Sequence, residues 1–354
     1  YSDILIRKDK ISEIGKINLY DEKQIDIQGN IVIPGLIDIH IHGAIGIDVM
    51  EASSKQLNEI SCFLASQGTT SFLPTTITSS YSNLFNAIEN IKNAKDSNIL
   101  GVHIEGPFIN KNKKGCHDEN YIRNPDLEIV ERTIINGLHT HYTIAPELEN
   151  AEEFIKNVVS LGRSVSLGHS EATSEEAKLS LNAGANIFTH LFNAMRPIHH
   201  REPGIIGAAL TSDAFVEVIC DGIHVHPEII KLIYKTKGSK KIVLVTDAMQ
   251  ACGLGDGNYS FGGFEINVVN GVARKKDGTL ASSTLTMFNA LKNIMKYVNI
   301  PLEVAIDMAT INPAKAIGVD RLYGSIEKNK IADLIILDEN LNIKYVINKG
   351  KMLP

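Results

Sequence analysis

The stretch IVIPGLIDIHIHG, residues 31–43, is an apolar run that acquires polar side chains towards its end. Asp38, His40 and His42 follow one another at every second position. Alternate side chains of a β-strand point to the same side, so these three groups would share one face. Burying three polar groups together is unfavourable unless something binds them. A metal ion is one answer, and other parts of the chain must then supply the remaining ligands.

The composition indicates a large globular protein. The 354 residues are 44% hydrophobic, which is enough for one large domain or a large domain with a small one. The net charge is −6 and there is no long basic run, so we do not expect nucleic acid as a partner. The longest apolar runs have the length of strands, so we do not expect a membrane span.

The cysteines favour a reducing compartment. Cys62, Cys116, Cys220 and Cys252 lie far apart and lack CxxC spacing. This pattern is typical of reduced thiols, not of a disulfide framework or a cysteine zinc site. The opening residues show no signal-peptide pattern, and we therefore expect a cytoplasmic protein. The sequence begins at Tyr1 and not at Met, so it does not define the natural N-terminus.

Strand-like and helical stretches alternate along most of the chain. The eight predicted strands are IVIPGLIDIH, TTSFLPT, NILGVHIEGPF, HTHYTIAPE, SVSLGHS, the start of ANIFTHLFNAM, AFVEVICDG and KIVLVTDA. Predicted helices fill most of the gaps, and residues 286–318 are expected to be helical throughout. Repeated β–α units imply a parallel sheet, and eight of them predict an α/β fold with a (β/α)8 TIM-like barrel. We expect this barrel, over residues 31–321, to be the catalytic domain.

Both ends of the chain have a different character. Residues 1–30 and 322–354 contain short strand-like runs separated by polar turns and lack helical periodicity. They predict a small β-sandwich domain built from both chain ends and lying beside the barrel.

Metal-ligating residue types recur at the ends of the predicted barrel strands. In such barrels the functional residues lie at the carboxyl ends of the strands. The residues in that position are His40, His42, His103, Glu105, His169, His190 and Asp247. Histidine and carboxylate ligands suit a borderline metal such as zinc or ferrous iron.

Each of these residues also has an ordinary structural explanation. A single buried histidine is more often a hydrogen-bonded core residue than a ligand, and Asp247 could cap the segment that follows it. The combined pattern on successive strands nevertheless favours a metal site. By contrast, His199 and His200 lie in a loop, and we do not expect them to bind metal.

The fourth predicted strand ends in TIAPE, without a lysine. Many two-metal barrel hydrolases bridge their ions with a carboxylated lysine at that position. Glu105 on the third strand is therefore the better candidate for a bridging ligand. The missing lysine also disfavours dihydroorotase-like and adenine deaminase-like alternatives.

A set of motifs resembles one known family. PGLIDIHIHG, HIEGPF, KKGCH, SLGHS, THLFNAM, REPGIIGAAL, DGIHVHP, LVTDAM and LASSTLTM occur in the order found in the N-acetylglucosamine-6-phosphate deacetylases of the amidohydrolase superfamily. The resemblance runs from about residue 31 to about residue 320, and GSIEKNKIADLIILD resembles the closing strands of that family. It implies hydrolysis of N-acetylglucosamine 6-phosphate to glucosamine 6-phosphate and acetate, by metal-activated water.

The resemblance also implies roles for individual residues. The primary metal ligands would be Glu105, His169 and His190. Some members carry Gln-x-Asn on the first strand and bind one metal, whereas His40 and His42 here imply a second. Asp247 matches the general acid/base and His117 a residue that polarises the amide carbonyl. The substrate-binding positions would be Cys116, His117, Asn193, Ala194, Arg201, Asp221, Gly222, Ile223, His224, Leu280, Ala281 and Ser282.

The remaining expectations concern the metal and the partners. We expect one or two divalent ions per subunit, with zinc or iron ahead of manganese or cobalt. In related enzymes the counterpart of Arg201 binds the substrate phosphate across a dimer interface, which implies a homodimer. Two alternatives stay open: the same chemistry on N-acetylgalactosamine 6-phosphate, and a catalytically silent metal-binding protein of the same fold. Intact Asp247 and His117 argue against the second alternative.

Overall fold

A computed structural model describes residues 2–18, 24–95 and 97–353, so positions 1, 19–23 and 354 of the predicted end domain lie outside the described residues. The strands are β1 (Asp3–Arg7), β2 (Lys10–Gly15), β3 (Ile31–Pro34), β4 (Leu36–Ile41), β5 (Gly43–Ala44), β6 (Ile47–Asp48), β7 (Thr69–Thr76), β8 (Gly101–Glu105), β9 (His139–Ile144), β10 (Ser164–Leu167), β11 (Ile187–Phe188), β12 (Phe215–Ile219), β13 (Ile242–Val245), β14 (Gly257–Phe261), β15 (Phe264–Val269), β16 (Val272–Lys275), β17 (Leu334–Leu337), β18 (Ile343–Asn348) and β19 (Lys351–Met352).

The α-helices lie mainly between the strands of the central part of the chain. They are α1 (Ser54–Ser66), α2 (Tyr81–Asn93), α3 (Leu127–Thr133), α4 (Ala151–Ser160), α5 (Ser174–Asn182), α6 (Gly204–Thr211), α7 (Pro227–Lys237), α8 (Met287–Val298), α9 (Leu302–Ala305) and α10 (Ile311–Ala316). Short 3-10 helices cover Lys111–Lys113, Glu119–Tyr121 and Ile306–Ala309. Across the part of the chain that the structure describes, no helix has both the length and the apolar character needed to span a bilayer.

Eight parallel strands form the predicted barrel. Their order is β4-β7-β8-β9-β10-β11-β12-β13, so each strand pairs with its neighbour in the β–α series. The first and last strands meet at their carboxyl ends, where Asp247 N donates to His40 O and His42 N donates to Ala248 O, both at 2.8 Å. The (β/α)8 fold class is therefore confirmed, and the barrel comprises the eight strands expected from the sequence.

The barrel interior is more polar than is usual for this fold. Interior layers of such barrels are dominated by branched aliphatic side chains. Here a hydroxyl network joins Thr143, Ser166 and Thr189, with oxygen–oxygen distances of 2.6–2.9 Å. The imidazole of His103 contacts this network through Thr143 Oγ1, at 2.7 Å. The interior thus supplies hydrogen-bonding groups directly beneath the strand ends.

Short strands from both chain ends form two small antiparallel sheets. β1 and β2 pair with each other, and β3 joins β17, β18 and β19 in a four-stranded antiparallel sheet. Ile11, Ala332 and Leu334, from the two chain ends, are buried together in one apolar cluster. Apolar burial against a second sheet is what stabilises such short strands.

Two predicted elements are interrupted. The strand expected over IVIPGLIDIH is two strands, and the break at Gly35 sends β3 into the small sheet and β4 into the barrel. The prediction of unbroken helix over residues 286–318 was wrong. α8 ends before Asn299, which has a left-handed φ of 58°, and Pro301 precedes α9. Proline lacks the N–H needed to continue the preceding helix.

An antiparallel sheet follows the last barrel strand and was not expected. β14, β15 and β16 form consecutive hairpins between β13 and α8. Gly262 and Gly263 form the first turn, with φ of 59° and 81°. A Cβ on Gly262 would lie 2.4 Å from Cys116 O, so this turn packs directly against the segment that carries a predicted site residue.

Gly35 provides a test of the connection between the small sheet and the barrel. A Cβ at this position would lie 2.0 Å from Thr70 Oγ1 and 2.7 Å from Thr70 Cγ2, and Thr70 is buried. We expect Gly35→Ala to lower the free energy of unfolding by about 1–3 kcal/mol, measured by denaturant titration. Adding Thr70→Ala should recover part of that loss. A double variant no more stable than Gly35→Ala alone would contradict the proposed contact.

Candidate metal centre and active site

Three of the predicted site residues adopt a left-handed backbone immediately beyond barrel strands. His169, His190 and Asp247 each lie two residues after the end of β10, β11 and β13, respectively, and have φ of 49°, 28° and 47°. This conformation costs a residue with a Cβ about 1–3 kcal/mol and persists only where the surrounding structure enforces it. Three such residues at one end of the barrel indicate that side-chain direction matters at these positions.

The carboxylate of Glu105 is the centre of the cluster. Its Oε1 lies 3.2 Å from His169 Nε2 and 3.1 Å from His190 Nε2, and those two nitrogens are 3.0 Å apart. All three side chains are buried. The structure therefore brings together the three residues expected to be the primary metal ligands.

The two histidines of the first barrel strand contact the same carboxylate. His42 Nε2 lies 3.1 Å from Glu105 Oε2, and His40 Nε2 lies 3.4 Å from Glu105 Oε1. Asp247 Oδ1 is 3.4 Å from His42 Nε2 and 3.6 Å from His40 Nε2. Glu105 consequently lies between two pairs of imidazoles, which is the position of a bridging ligand.

The outer nitrogens of three imidazoles face hydrogen-bond acceptors. His169 Nδ1 lies 2.7 Å from Lys113 O, and His42 Nδ1 lies 3.2 Å from Thr75 O. His40 Nδ1 lies 3.2 Å from Glu217 Oε2. A carbonyl or carboxylate oxygen accepts, so each Nδ1 carries a proton and, in the neutral ring, each Nε2 presents a lone pair.

These tautomers create a place that favours positive charge. In the neutral rings, His40 Nε2 and His42 Nε2 point lone pairs at each other across 3.3 Å, next to a carboxylate. Such an arrangement is repulsive unless a bound ion or an added ring proton supplies positive charge among the donors. Imidazole and carboxylate donors with protein acceptors on the outer ring nitrogens are typical of zinc and similar divalent metals. The residues therefore fit a metal ion.

The pKa values reflect how strongly these groups interact. Burial lowers the pKa of His42, but hydrogen bonds to Asp247 and Glu105 outweigh it and raise this pKa to about 9. Burial raises the pKa of Asp247, yet His40 and His42 hold it below the ordinary value for an aspartate. Burial lowers the pKa of His117 to about 4, despite the opposing effect of Glu105. Asp247 is thus ionised at neutral pH, and His117 is neutral.

An open cavity of about 330 Å³ lies above the cluster. The predicted site residues that line it are His42, Glu105, Cys116, His117, His169, His190, Asn193, Ala194, His224, Asp247, Leu280 and Ser282. Ser282 Oγ donates to Asp247 Oδ1 at 3.0 Å. His224 Nδ1 lies 2.6 Å from Asp221 Oδ2, and this bond raises the His224 pKa against the effect of burial.

The other predicted site residues lie behind or outside the cavity wall. His40 is fully buried beneath the cavity, and Asp221 does not line it but contacts His224, which does. Gly222, Ile223 and Ala281 do not line it. Arg201 is exposed, and its guanidinium contacts His200 Nε2 at 2.7 Å. The structure therefore does not bring Arg201 into the cavity of its own subunit.

Comparison with known proteins identifies the family. The amidohydrolase family model matches residues 31–353. The chain is 40% identical over 334 residues to the N-acetylglucosamine-6-phosphate deacetylase of Bacillus subtilis, covering 91% of this chain and 84% of that protein. This chain belongs to the amidohydrolase family.

Other relatives of this amidohydrolase carry related names. It is 35% identical to the N-acetylgalactosamine-6-phosphate deacetylase of Escherichia coli O157:H7, over 91% of this chain and 87% of that protein. The crystal structure of N-acetylglucosamine-6-phosphate deacetylase from Pasteurella multocida matches this chain with a TM-score of 0.94 and 36% identity. The match covers 99% of this chain and 94% of that one. The resemblance expected from the sequence motifs is confirmed.

One solved relative contains a sugar phosphate. A mutant form of the N-acetyl-D-glucosamine-6-phosphate deacetylase from Mycobacterium smegmatis was solved in complex with N-acetyl-D-glucosamine-6-phosphate. It matches this amidohydrolase with a TM-score of 0.92 and 31% identity, covering 99% of this chain and 93% of that one.

Several residues that shape the site were not predicted from the sequence. Phe261, from the unexpected sheet, packs edge-on against His42 with ring centroids 5.0 Å apart and lines the cavity. Lys113 holds His169 through its carbonyl, and Glu217 holds His40. A lone acidic residue within the apolar run FVEVIC was a usable signal for Glu217. The hairpin that carries Phe261 was signalled by FGGF and by alternating polarity.

Glu217 connects two of the candidate ligands. Its fully buried Oε2 accepts from His40 Nδ1 and, at 3.1 Å, from the backbone N–H of His190. Oε1 has no hydrogen-bond partner in the described chain and lies 3.9 Å from His141 Nε2. A carboxylate that accepts from a ligating imidazole orients the ring and increases its basicity.

We expect Glu217→Ala to weaken retention of the ion beside His40 by about 10- to 100-fold. Glu217→Gln keeps an acceptor but loses the charge, so its effect should be smaller. The measurement is metal loss to a competing chelator, with Glu265→Ala, which removes an exposed carboxylate, as the matched control. Retention equal to wild type in Glu217→Ala would contradict this role.

Proposed function

We propose that this amidohydrolase deacetylates N-acetyl-D-glucosamine 6-phosphate to D-glucosamine 6-phosphate and acetate, in amino-sugar catabolism. The main support is the convergence of Glu105, His169 and His190 with Asp247 at one open cavity. Relatives of the same name, and the sugar phosphate bound to one of them, support the substrate class. N-acetylgalactosamine 6-phosphate is the second candidate, because one relative at 35% identity carries that name.

The proposed cofactor is one or two divalent ions per subunit. Glu105, His169 and His190 would hold the first, while His40 and His42 would hold a second that shares Glu105. All four of zinc, iron, manganese and cobalt suit histidine and carboxylate ligands, and we place zinc and iron first because imidazole donors predominate here. When bound, such an ion lowers the pKa of water and draws charge from a carbonyl oxygen.

Asp247 is the proposed general base and acid. Its carboxylate is ionised beside His40 and His42, and Ser282 orients it by donating to Oδ1. It accepts a proton from the attacking water and then returns that proton to the nitrogen of the amine. The return is necessary because an amide ion is too basic to leave.

His117 is the proposed donor to the developing oxyanion. The ring is buried, neutral and lines the cavity, with Nε2 at 3.4 Å from Glu105 Oε2. A positioned donor that meets charge only as it develops stabilises the transition state more than the substrate.

The proposed partner is a second copy of the chain. Arg201 lies outside its own cavity and is exposed, in line with a phosphate contact made in the neighbouring subunit. A guanidinium offers a planar fork that suits phosphate oxygens.

The cytoplasmic location stays a prediction. The assignment of residues 1–30 and 322–354 to one small domain also stays a prediction. We place the boundary between this domain and the barrel near Gly35, because β3 pairs with β17.

The overall proposal is tested by measuring acetate release from N-acetylglucosamine 6-phosphate and from its epimer, N-acetylgalactosamine 6-phosphate. We expect release that stops when a chelator removes the metal and returns when zinc is restored. Faster turnover of N-acetylgalactosamine 6-phosphate would favour that compound as the substrate. A metal-loaded protein that releases no acetate from either compound would contradict the proposal.

Asp247→Asn should retain the bound metal but lose turnover by about 10²–10⁴-fold, because asparagine cannot accept or return the proton. Steady-state deacetylation and metal analysis of the same preparation measure both effects. Near-normal kcat in this variant would contradict the proposed role.

Arg201→Ala should lower kcat/KM for phosphorylated N-acetylglucosamine by about 10- to 100-fold, since it removes a charge-assisted contact. Unphosphorylated N-acetylglucosamine should be affected little. Arg321→Ala, at another exposed position, is the matched control. An equal loss on both substrates would show that Arg201 does not bind the phosphate.

A further inference from the structure

The outer nitrogen of His117 faces a different kind of group from those of His40, His42 and His169. The Nδ1 atoms of His40, His42 and His169 face oxygen acceptors. His117 Nδ1 instead accepts from the backbone N–H of Thr78 at 3.2 Å, and the Thr78 hydroxyl lies 2.6 Å away. Thr78 belongs to the segment after β7 and was not among the residues expected from the sequence.

The Thr78 amide determines which nitrogen of His117 carries the proton. A backbone N–H can only donate, so His117 Nδ1 must present its lone pair. A neutral imidazole has one N–H, and this proton must therefore be on Nε2. The Thr78 hydroxyl can donate to the same lone pair. His117 Nε2, the atom nearest Glu105, is consequently a hydrogen-bond donor.

This tautomer separates His117 from the metal ligands. Ligand atoms of Glu105, His117 and His169 lie within 4.8 Å of one another, so distance alone would allow His117 to coordinate an ion. A ligand that used Nε2 would need its proton on Nδ1, where it would collide with the Thr78 N–H. The hydrogen bonds thus exclude a role that the spacing permits.

The position of the Thr78 hydroxyl is fixed by packing. Thr78 is 5% exposed. A Cβ on Gly106, the residue after Glu105, would lie 2.0 Å from Thr78 Oγ1 and 3.3 Å from His117 Nδ1. The hydroxyl is therefore held between the His117 ring and the backbone that follows the central carboxylate.

We propose that Thr78 is a positioning residue that holds His117 as the Nε2–H tautomer and directs this proton into the cavity. The proposal rests on the proposed deacetylation, in which His117 donates to the developing oxyanion. Thr78 acts only through His117, and its contribution should appear in kcat, because the oxyanion exists in the transition state and not in the bound substrate.

The tautomer is measured first, without any substrate. Zinc-loaded protein labelled with ¹⁵N-histidine gives distinct ¹⁵N–¹H correlation patterns for the two neutral tautomers, and His117→Gln identifies the signals of His117. We expect His117 to be protonated on Nε2 alone. Protonation on Nδ1 would overturn the proposal, whether or not the protein deacetylates sugars.

The kinetic test uses two variants of Thr78. Thr78→Val keeps the shape and the backbone N–H, so the tautomer should persist, but it removes the hydroxyl contact that holds the His117 ring in position. We therefore expect kcat to fall about tenfold with KM changed less than about twofold. Thr78→Ser restores the hydroxyl and should return kcat to within about twofold of wild type. Metal content should not change in either variant. Thr236→Val, which removes an exposed hydroxyl, is the matched control.

Two results would overturn the kinetic role. One is wild-type kcat in Thr78→Val, with the His117 Nδ1 resonance unchanged. The other is loss of metal in Thr78→Val, which would mean that Thr78 supports the ligands instead of His117. If wild-type protein deacetylates neither epimer, the proposed function fails, while the tautomer measurement still decides what Thr78 does to His117.

Discussion

The site depends on electrostatic repulsion among buried donors, which a bound metal ion would relieve. Protein oxygens hold the outer nitrogens of His40, His42 and His169 as donors, so their neutral inner nitrogens present lone pairs around Glu105. These groups are buried, and the low effective dielectric of a protein interior increases the cost of leaving such charges unbalanced. A divalent ion turns the same arrangement from repulsive to favourable. The barrel holds the donor atoms in position, and a bound ion would balance their negative charge and lone pairs.

The fold serves this arrangement in two ways. Closure of the sheet by the hydrogen bonds between Asp247 and His40 and between His42 and Ala248 brings the first and last strands to the same point. The polar barrel interior then supplies partners from below, of which Glu217 is the clearest example. The left-handed backbone of His169 and His190 lowers the stability of the fold. This cost is accepted at the positions where the direction of the side chain is required.

Much of the fold, and the grouping of the candidate ligands at one end of the barrel, was predictable from the sequence, because both depend on local patterns. Strand-like and helical stretches alternate along the chain, and the candidate ligands occupy equivalent positions at strand ends. Glu217 and Thr78 were not predictable in the same way. Glu217 stands out in sequence only as a lone acid in an apolar run, and Thr78 looks ordinary. Each acquires its role from a partner distant along the chain, namely His40 and His117. Such contacts follow from barrel closure and packing, not from spacing. Gly35 was missed because it divides one apolar run between two sheets.

The most direct test is anomalous diffraction from crystals of the protein grown with zinc. We predict a strong zinc peak at coordination distance, about 2 Å, from Glu105, His169 and His190, with a second peak shared by His40, His42 and Glu105. A second peak of low occupancy would still support the central claim. A structure in which Glu105, His169 and His190 point away from one another, with no peak among them, would contradict it.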